Sequence, residues 1–246
     1  MSEESKRIID FLNCDYETFG SDDDIEKVIK RFNELSAKGK TEGFYPVIII
    51  PTDTFAELFD IIADEIVDST QKSVISYRNN IISKANEINA EKFLRDKLNQ
   101  YLGYYNDFDI TGSLKRQSET IDLLGYLTRY YGRDFDEIVI ALIPAENPWE
   151  LAAWIPIGGV NDCPRPEYQV AVFRYWHDKY NAVPILATFD TWMMSLTKPP
   201  VTDIEVESLA KEQFAFCSDI VSQGSETILG LASGLRNSTT WFFWWD

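Results

Sequence analysis

Histidine occurs once in this chain, as His177, and cysteine three times, as Cys14, Cys163 and Cys217. A lone histidine and three scattered cysteines, with no C-x-x-C pair, imply neither a disulfide framework nor a zinc site. No metal and no cofactor is therefore expected. No stretch approaches the roughly 18 consecutive apolar residues of a membrane span. The start, M-S-E-E-S-K-R-I-I-D-F-L-N, has no apolar run of signal-peptide length. A reduced, cytoplasmic protein is the simplest reading. Basic residues are also scarce: 23 Lys and Arg stand against 40 Asp and Glu, a formal net charge of −17. Phosphate binding needs a basic footprint, so a nucleic-acid partner is disfavoured, and an anionic membrane surface with it. A charged partner should be basic.

Apolar and aromatic residues are plentiful, at 45% and 14%. That suffices for one sizeable core and is too much for an acidic disordered tail. Residues 1–137 carry 17 basic and 27 acidic residues, and residues 138–246 carry 6 and 13. All seven Trp fall in the second part, from Trp149 to Trp245. Two regions are expected: 1–137, mostly helical with one strand near 44–51, and 138–246, an α+β domain.

The first 40 residues read as two helices, the second capped by Ser21 with Asp22, Asp23 and Asp24 in its first turn. Ile25, Val28, Ile29, Phe32 and Leu35 then follow helical spacing. F-Y-P-V-I-I-I-P (44–51) is a buried strand, and Thr52 caps the next helix. A long polar helix is expected from Tyr77 to Leu102, a loop over 103–113 and a helix over 120–131. From Ile138, I-V-I-A-L-I-P is a strand. Segments 182–189 and 192–196 form a hairpin about Asp190-Thr191, and W-F-F-W-W (241–245) is a strand aromatic on both faces, so it is expected to pair inside the sheet and be buried on both. Helices over 165–180, 203–222 and 225–236 separate them. The fold class is α+β, with a mixed sheet of about five strands flanked by helices and a helical N-terminal region.

The words W-I-P-I-G-G-V-N-D-C-P-R-P, F-R-Y-W-H-D-K-Y-N-A, K-P-P, L-A-K-E-Q-F-A-F-C-S-D-I-V-S-Q-G and W-F-F-W-W-D follow one another between Trp154 and Asp246. This segment, roughly the last 110 residues, resembles the bacterial domain-of-unknown-function family 4253. Asn181-Ala182 stands where that family commonly shows Gly-Ala, and Trp192 where a Glu is often seen. Asn accepts positive φ, so the first exchange is tolerable. The resemblance implies a fold and carries no activity.

Any mechanism that uses histidine must run through His177. Cys163 opens the same predicted helix, but fourteen residues at about 1.5 Å each put the two roughly 21 Å apart. His177 reads as structural or exposed. Cys217 falls on an apolar arc with Val206, Ala210, Phe214 and Val221 and reads as a core thiol. Gly158-Gly159 before a helix invites an anion, yet Pro164 and Pro166 lack N–H groups and Asp162 repels. Asn161 or Asp162 is better taken as the cap. Glu205, Glu212, Asp219 and Gln223 form a polar stripe on the helix expected over 203–222, with Phe216 upon it as an aromatic contact. Gln213 points into the apolar arc and should pin a loop, with 158–163 the candidate. Trp244, Trp245 and Asp246 are structural. Asp246 is expected to tie the terminus through an ion pair to Arg174 or Arg165.

Three functional readings follow. The first is a non-catalytic, acidic protein-interaction module, a candidate immunity protein or antitoxin that neutralises a basic toxin through Glu205, Glu212, Phe216, Asp219 and Gln223. The alternative is a small-molecule hydrolase or transferase with Asn161, Asp162, Cys163, Glu212, Asp219 and Gln223 around one cleft. A purely structural domain of a larger assembly is a third reading.

Overall fold

The computed structural model describes residues 1–66, 70–105, 110–113, 122–132 and 135–246. The elements are α1 (Glu3–Leu12), β1 (Asp15–Gly20), α2 (Ile25–Glu42), β2 (Tyr45–Ile49), α3 (Asp53–Glu65), α4 (Gln71–Glu87), α5 (Ala90–Tyr104) and α6 (Leu123–Tyr130). Then come β3 (Glu137–Ile143), a 3₁₀ turn Pro148–Glu150, α7 (Leu151–Trp154), α8 (Pro166–Tyr180), β4 (Val183–Ala187) and β5 (Thr191–Ser195). The chain closes with α9 (Asp203–Phe216), a π-helical turn Ile220–Ser225, α10 (Ile228–Leu235) and β6 (Thr240–Trp244). The strands form one sheet in the order β1-β3-β2-β4-β5-β6. Only β2 and β4 run parallel; the other neighbours are antiparallel. The fold is α+β with a mixed sheet, as the sequence suggests, but with six strands.

The additional strand is β1, D-Y-E-T-F-G, whose polar residues hide it from an apolar-run search. Its presence moves the next helix start. Gly20 accepts from the Asp23 N–H, and the Gly20 N–H donates to Asp23 Oδ2, both at 2.9 Å, so Ser21–Asp23 form a turn. Asp24, not Ser21, then caps α2 by accepting from the Glu26 N–H at 2.9 Å. Thr52 caps α3 as expected, accepting from the Phe55 N–H at 3.2 Å. The helix expected from Tyr77 to Leu102 is two, because the Asn89 side chain accepts from the Lys92 N–H at 2.8 Å and starts α5 afresh. The loop expected over 103–113 lies partly outside the described residues, as do positions 120 and 121 of the helix expected over 120–131. The β4–β5 turn is Phe189-Asp190, closed by Thr188 N–H to Thr191 C=O at 3.1 Å, with Thr191 already in the strand.

The two sheet faces are covered unequally. Helices α1, α3, α4, α5, α7, α8, α9 and α10 bury one face, and α2 and α6 bury the other. On the thicker side the aromatics cluster about Trp176, whose ring stacks on Phe243 at 5.3 Å and meets Phe216 and Trp241 edge-on. Each such ring, fully buried, contributes about 1.5–3 kcal/mol. Buried Arg78 on α4 ties three helices together. Its guanidinium donates to the Phe11 and Leu12 carbonyls at the end of α1, at 2.8 and 3.2 Å, and lies 3.8 Å from the Trp154 ring. Burial lowers its pKa to about 10.

Two points of organisation go beyond the sequence reading. The first is how residues 1–137 and 138–246 are joined. β3 pairs with β1 and β2 of the first part and with none of β4–β6, and β2 lies between β3 and β4. The two parts share one sheet and one core. The second corrects the expectation that the terminal aromatic strand pairs inside the sheet. β6 is an edge strand with alternating burial, Trp241 and Phe243 inward on the thick side and Phe242 and Trp244 half-buried on the other. Its edge is nonetheless partly occupied. The Thr239 carbonyl and the Trp245 N–H face β5, so Thr240, Phe242 and Trp244 face out. Ser238 Oγ engages both the N–H and C=O of Thr240, and Cys217 Sγ donates to the Trp244 carbonyl at 2.9 Å.

Candidate functional site

The loop between α7 and α8 has four positions at positive φ: Gly158 (118°), Gly159 (84°), Asn161 (49°) and Asp162 (58°). Gly158 must be glycine, because a Cβ there would lie 2.2 Å from the Pro164 carbonyl oxygen. Asn and Asp are the residues best suited to the left-handed conformation among those with side chains. Gln169, fully buried on α8, fastens this loop from beneath. Its Nε2 donates to the Ile157 and Pro164 carbonyls at 2.6 and 2.7 Å, and its Oε1 accepts from Trp192 Nε1 at 2.8 Å. The sequence assigned this pinning to Gln213. That residue is buried, but its Nε2 has no partner. Neither Asn161 nor Asp162 caps α8; both lie within the loop, and Arg165 is the N-cap residue, followed by Pro166. At the other end of α8, Asn181 adopts φ 51° as the C-cap, as an Asn in place of Gly can.

The loop shares one end of the sheet with the β4–β5 turn and the segment after α9. Asp190 Oδ1 accepts from the Thr188 and Thr191 hydroxyls at 2.7 and 2.9 Å, and its carbonyl accepts from the Trp245 N–H at 3.1 Å. The Asp246 N–H donates to Asp219 Oδ2 at 3.1 Å. Burial pushes the Cys163 thiol pKa well up, with Cys217 and Asp190 adding to it. Burial likewise pushes Cys217 up to about 12. Tyr101 is raised to about 12, by burial first and then by Asp162, with Asp219 contributing. Asp162, Cys163, Asp190, Cys217 and Asp219 are thus electrostatic neighbours. The same end exposes Val160 and Phe189.

The remaining predicted residues are elsewhere. Glu212 sits at the far end of α8, where Oε1 accepts from the Tyr175 hydroxyl at 2.9 Å and Lys179 at 3.0 Å, and Oε2 accepts from Trp176 Nε1 at 3.0 Å. Glu205 forms a capping box with Thr202. The Thr202 and Val201 N–H groups, at 2.9 and 3.0 Å, hold its carboxyl below the usual range. Phe216 is fully buried against Trp176, Phe173, Phe243 and Trp245 and touches no solvent. α9 ends at Phe216, so Asp219 and Gln223, the latter exposed in the π-helical turn, leave the helical register on which the stripe depended. The polar stripe with an aromatic centre is therefore not a surface. The proposed cleft is not formed either. A cavity of about 430 Å³ beside the loop reaches Asp162 and Cys163 together with Lys97 and Arg165, but not Glu212, Asp219 or Gln223. Arg174 bonds Asn86 and the Ala85 carbonyl instead of Asp246.

His177 lies half-buried with Nδ1 3.2 Å from the Ala182 carbonyl and its ring against Trp149. All three cysteines are free, and Cys14 too is raised to about 12 by burial. Thiols so raised are protonated near neutrality and weak as nucleophiles. No group of three metal-capable side chains occurs among the described residues. What the arrangement offers is a rigid rim, acidic and partly apolar, fixed by Gln169, Thr188 and Asp219.

This is a mixed-sheet α+β protein whose gathered site, Tyr101 apart, lies wholly in its C-terminal portion. That portion, residues 139–246, matches the family described as a domain of unknown function (DUF4253). No curated protein and no solved structure matches the chain.

Proposed function

We propose that this chain is a non-catalytic, acidic protein-interaction module that binds a basic partner, its concrete form being an immunity protein or antitoxin that neutralises a basic toxin in the cytoplasm. The observation that carries this reading is that the side chains best suited to chemistry are engaged in holding the fold. Glu212 is held by Tyr175, Trp176 and Lys179, Asp190 by two threonine hydroxyls, Cys217 by a main-chain carbonyl and His177 by Ala182 and Trp149. A net charge of −17 meanwhile favours long-range attraction of a cationic protein. No helix among the described residues is long and apolar enough to cross a membrane. The buried thiols weigh against Cys163 as a nucleophile, and Glu212 and Asp219 do not line the cavity at Asp162, so the carboxylates of the hydrolase or transferase reading do not converge there.

The test is to isolate the partner from native lysate and follow association by surface kinetics as ionic strength is raised. The expected result is an on-rate that falls by about an order of magnitude or more while the off-rate changes little. An on-rate indifferent to salt contradicts the reading.

A further inference from the structure

On the β6 edge Ser238 engages the N–H and C=O of Thr240 and Cys217 engages the carbonyl of Trp244, while among the described residues the outward edge of β1 is engaged only at Gly20. Which β1 groups face outward follows from a proline. Pro46 has no N–H, so its pairing with Leu142 is of the kind in which the main-chain groups turn away from each other. Leu142, and by alternation Ile140 and Ile138, therefore point to β1 and bond Asp15, Glu17 and Phe19. The outward residues are Tyr16, Thr18 and Gly20. Gly20 is closed off, its N–H by Asp23 and its carbonyl by the Tyr131 hydroxyl. Among the described residues nothing bonds the main-chain N–H or C=O of Tyr16 or Thr18. Four strand-forming groups thus stand in line toward solvent, and the side chains of Tyr16 and Thr18 are exposed beside them.

Among the described residues the charge along this edge is mainly acidic, although the Met1 ammonium pairs with Glu137 at 3.4 Å. Asp15 lies on the strand, Asp22, Asp23 and Asp24 follow it, and Asp136 and Glu137 flank Gly20 across the β1–β3 pair. Of the described cations near the strand, Arg31 is bound by Glu17 at 2.6 Å and by Glu34 at 3.1 Å, and Lys38, which also acts on Glu17, is paired with Glu42 at 3.2 Å. Tyr131, whose hydroxyl bonds Gly20, reports the field. Its pKa is pushed up to about 12, by burial first and then by Asp23, Asp136, Asp22 and Glu137.

We propose that the outer edge of β1 docks an extended, basic segment of a partner protein, which adds to the sheet as a further strand through the main chain of Tyr16 and Thr18. Such strand addition takes its affinity from main-chain bonds and its selectivity from neighbouring side chains, here the carboxylates. Proteins blunt an open edge with bulges, prolines or charged side chains; β1 has no bulge and no proline, and the charges it carries, Asp15 and Glu17, repel an acidic strand and admit a basic one. The inference rests on the reading of the partner as basic and adds the place where it binds.

Three short capped peptides test it by titration calorimetry against the whole chain: alternating Lys–Thr, alternating Glu–Thr, and alternating Lys–Pro. The last keeps the charge and removes strand donors. The Lys–Thr peptide is expected to bind at least about tenfold more tightly than either of the others. Thr18→Pro, which removes an N–H that faces solvent, should bring the Lys–Thr affinity down to that of Lys–Pro. Equal binding of the two basic peptides to the wild-type chain, or no binding of Lys–Thr, overturns the inference. The wild-type comparison decides the matter even if the variant does not fold. Failure here leaves intact a salt-dependent association with the native partner, which tests the reading beneath it.

Discussion

Gln169 and Gln213 are both buried amides on the thick side of the sheet, and their surroundings give them opposite weights. Replacing Gln169 with Leu strands the Trp192 indole N–H and the carbonyls of Ile157 and Pro164. Leaving buried groups unpaired costs about 1–3 kcal/mol apiece before any relaxation, so a loss of roughly 3 kcal/mol is expected. Gln213→Leu removes an amide nitrogen that already lacks a partner and should cost under about 1 kcal/mol. Urea unfolding of the two variants checks the contrast, and equal losses contradict it. The sequence pointed to a buried glutamine holding loop 158–163, and such a residue exists. Both glutamines fall on apolar arcs of their helices; the choice depends on Trp192, which meets Gln169 only once β5 lies beneath α8. Phe216 was misplaced for a related reason: the face it shares with Glu212 is covered, Glu212 accepting from Trp176 Nε1 and Phe216 packing on the same ring, while Asp219 and Gln223 lie beyond the end of the helix and leave the register.

At the scale of elements, apolar runs announced β2, β3, β4, β5 and β6, and spacing announced α2, α3 and α8. β1 was silent because an exposed edge strand carries little apolar signal. Strand order was not legible either, since it is set by pairings between residues far apart in sequence, such as Ile48 with Leu186. That order has a consequence for the segment that matches the domain family. β2, which joins β3 to β4, lies outside residues 139–246. A chain consisting of 138–246 alone would leave β3 without either neighbour and β4 without its parallel partner. We expect this fragment to show no cooperative thermal transition, and one coinciding in near- and far-ultraviolet circular dichroism would contradict the shared sheet.

On the scale of the whole molecule, two ends of the structure could meet a partner. One is the rim of Asp162, Phe189, Asp190 and Asp246 in the family segment. The other is the open edge of β1 with Asp15 and Asp22–Asp24, in the part of the chain outside the family match. Charge alone does not separate them, because both are acidic. Main-chain availability does: at the rim the Asp190 carbonyl and the Asp246 N–H are already bonded, whereas among the described residues nothing bonds the main-chain groups of Tyr16 and Thr18. Hydrogen exchange over the full chain, alone and bound to its captured native partner, reads this difference directly. The account predicts that the Tyr16 and Thr18 amides, exposed in the free protein, exchange at least about tenfold more slowly in the complex. Protection confined to 158–163, 189–190 and 245–246, with Tyr16 and Thr18 unchanged, would contradict it.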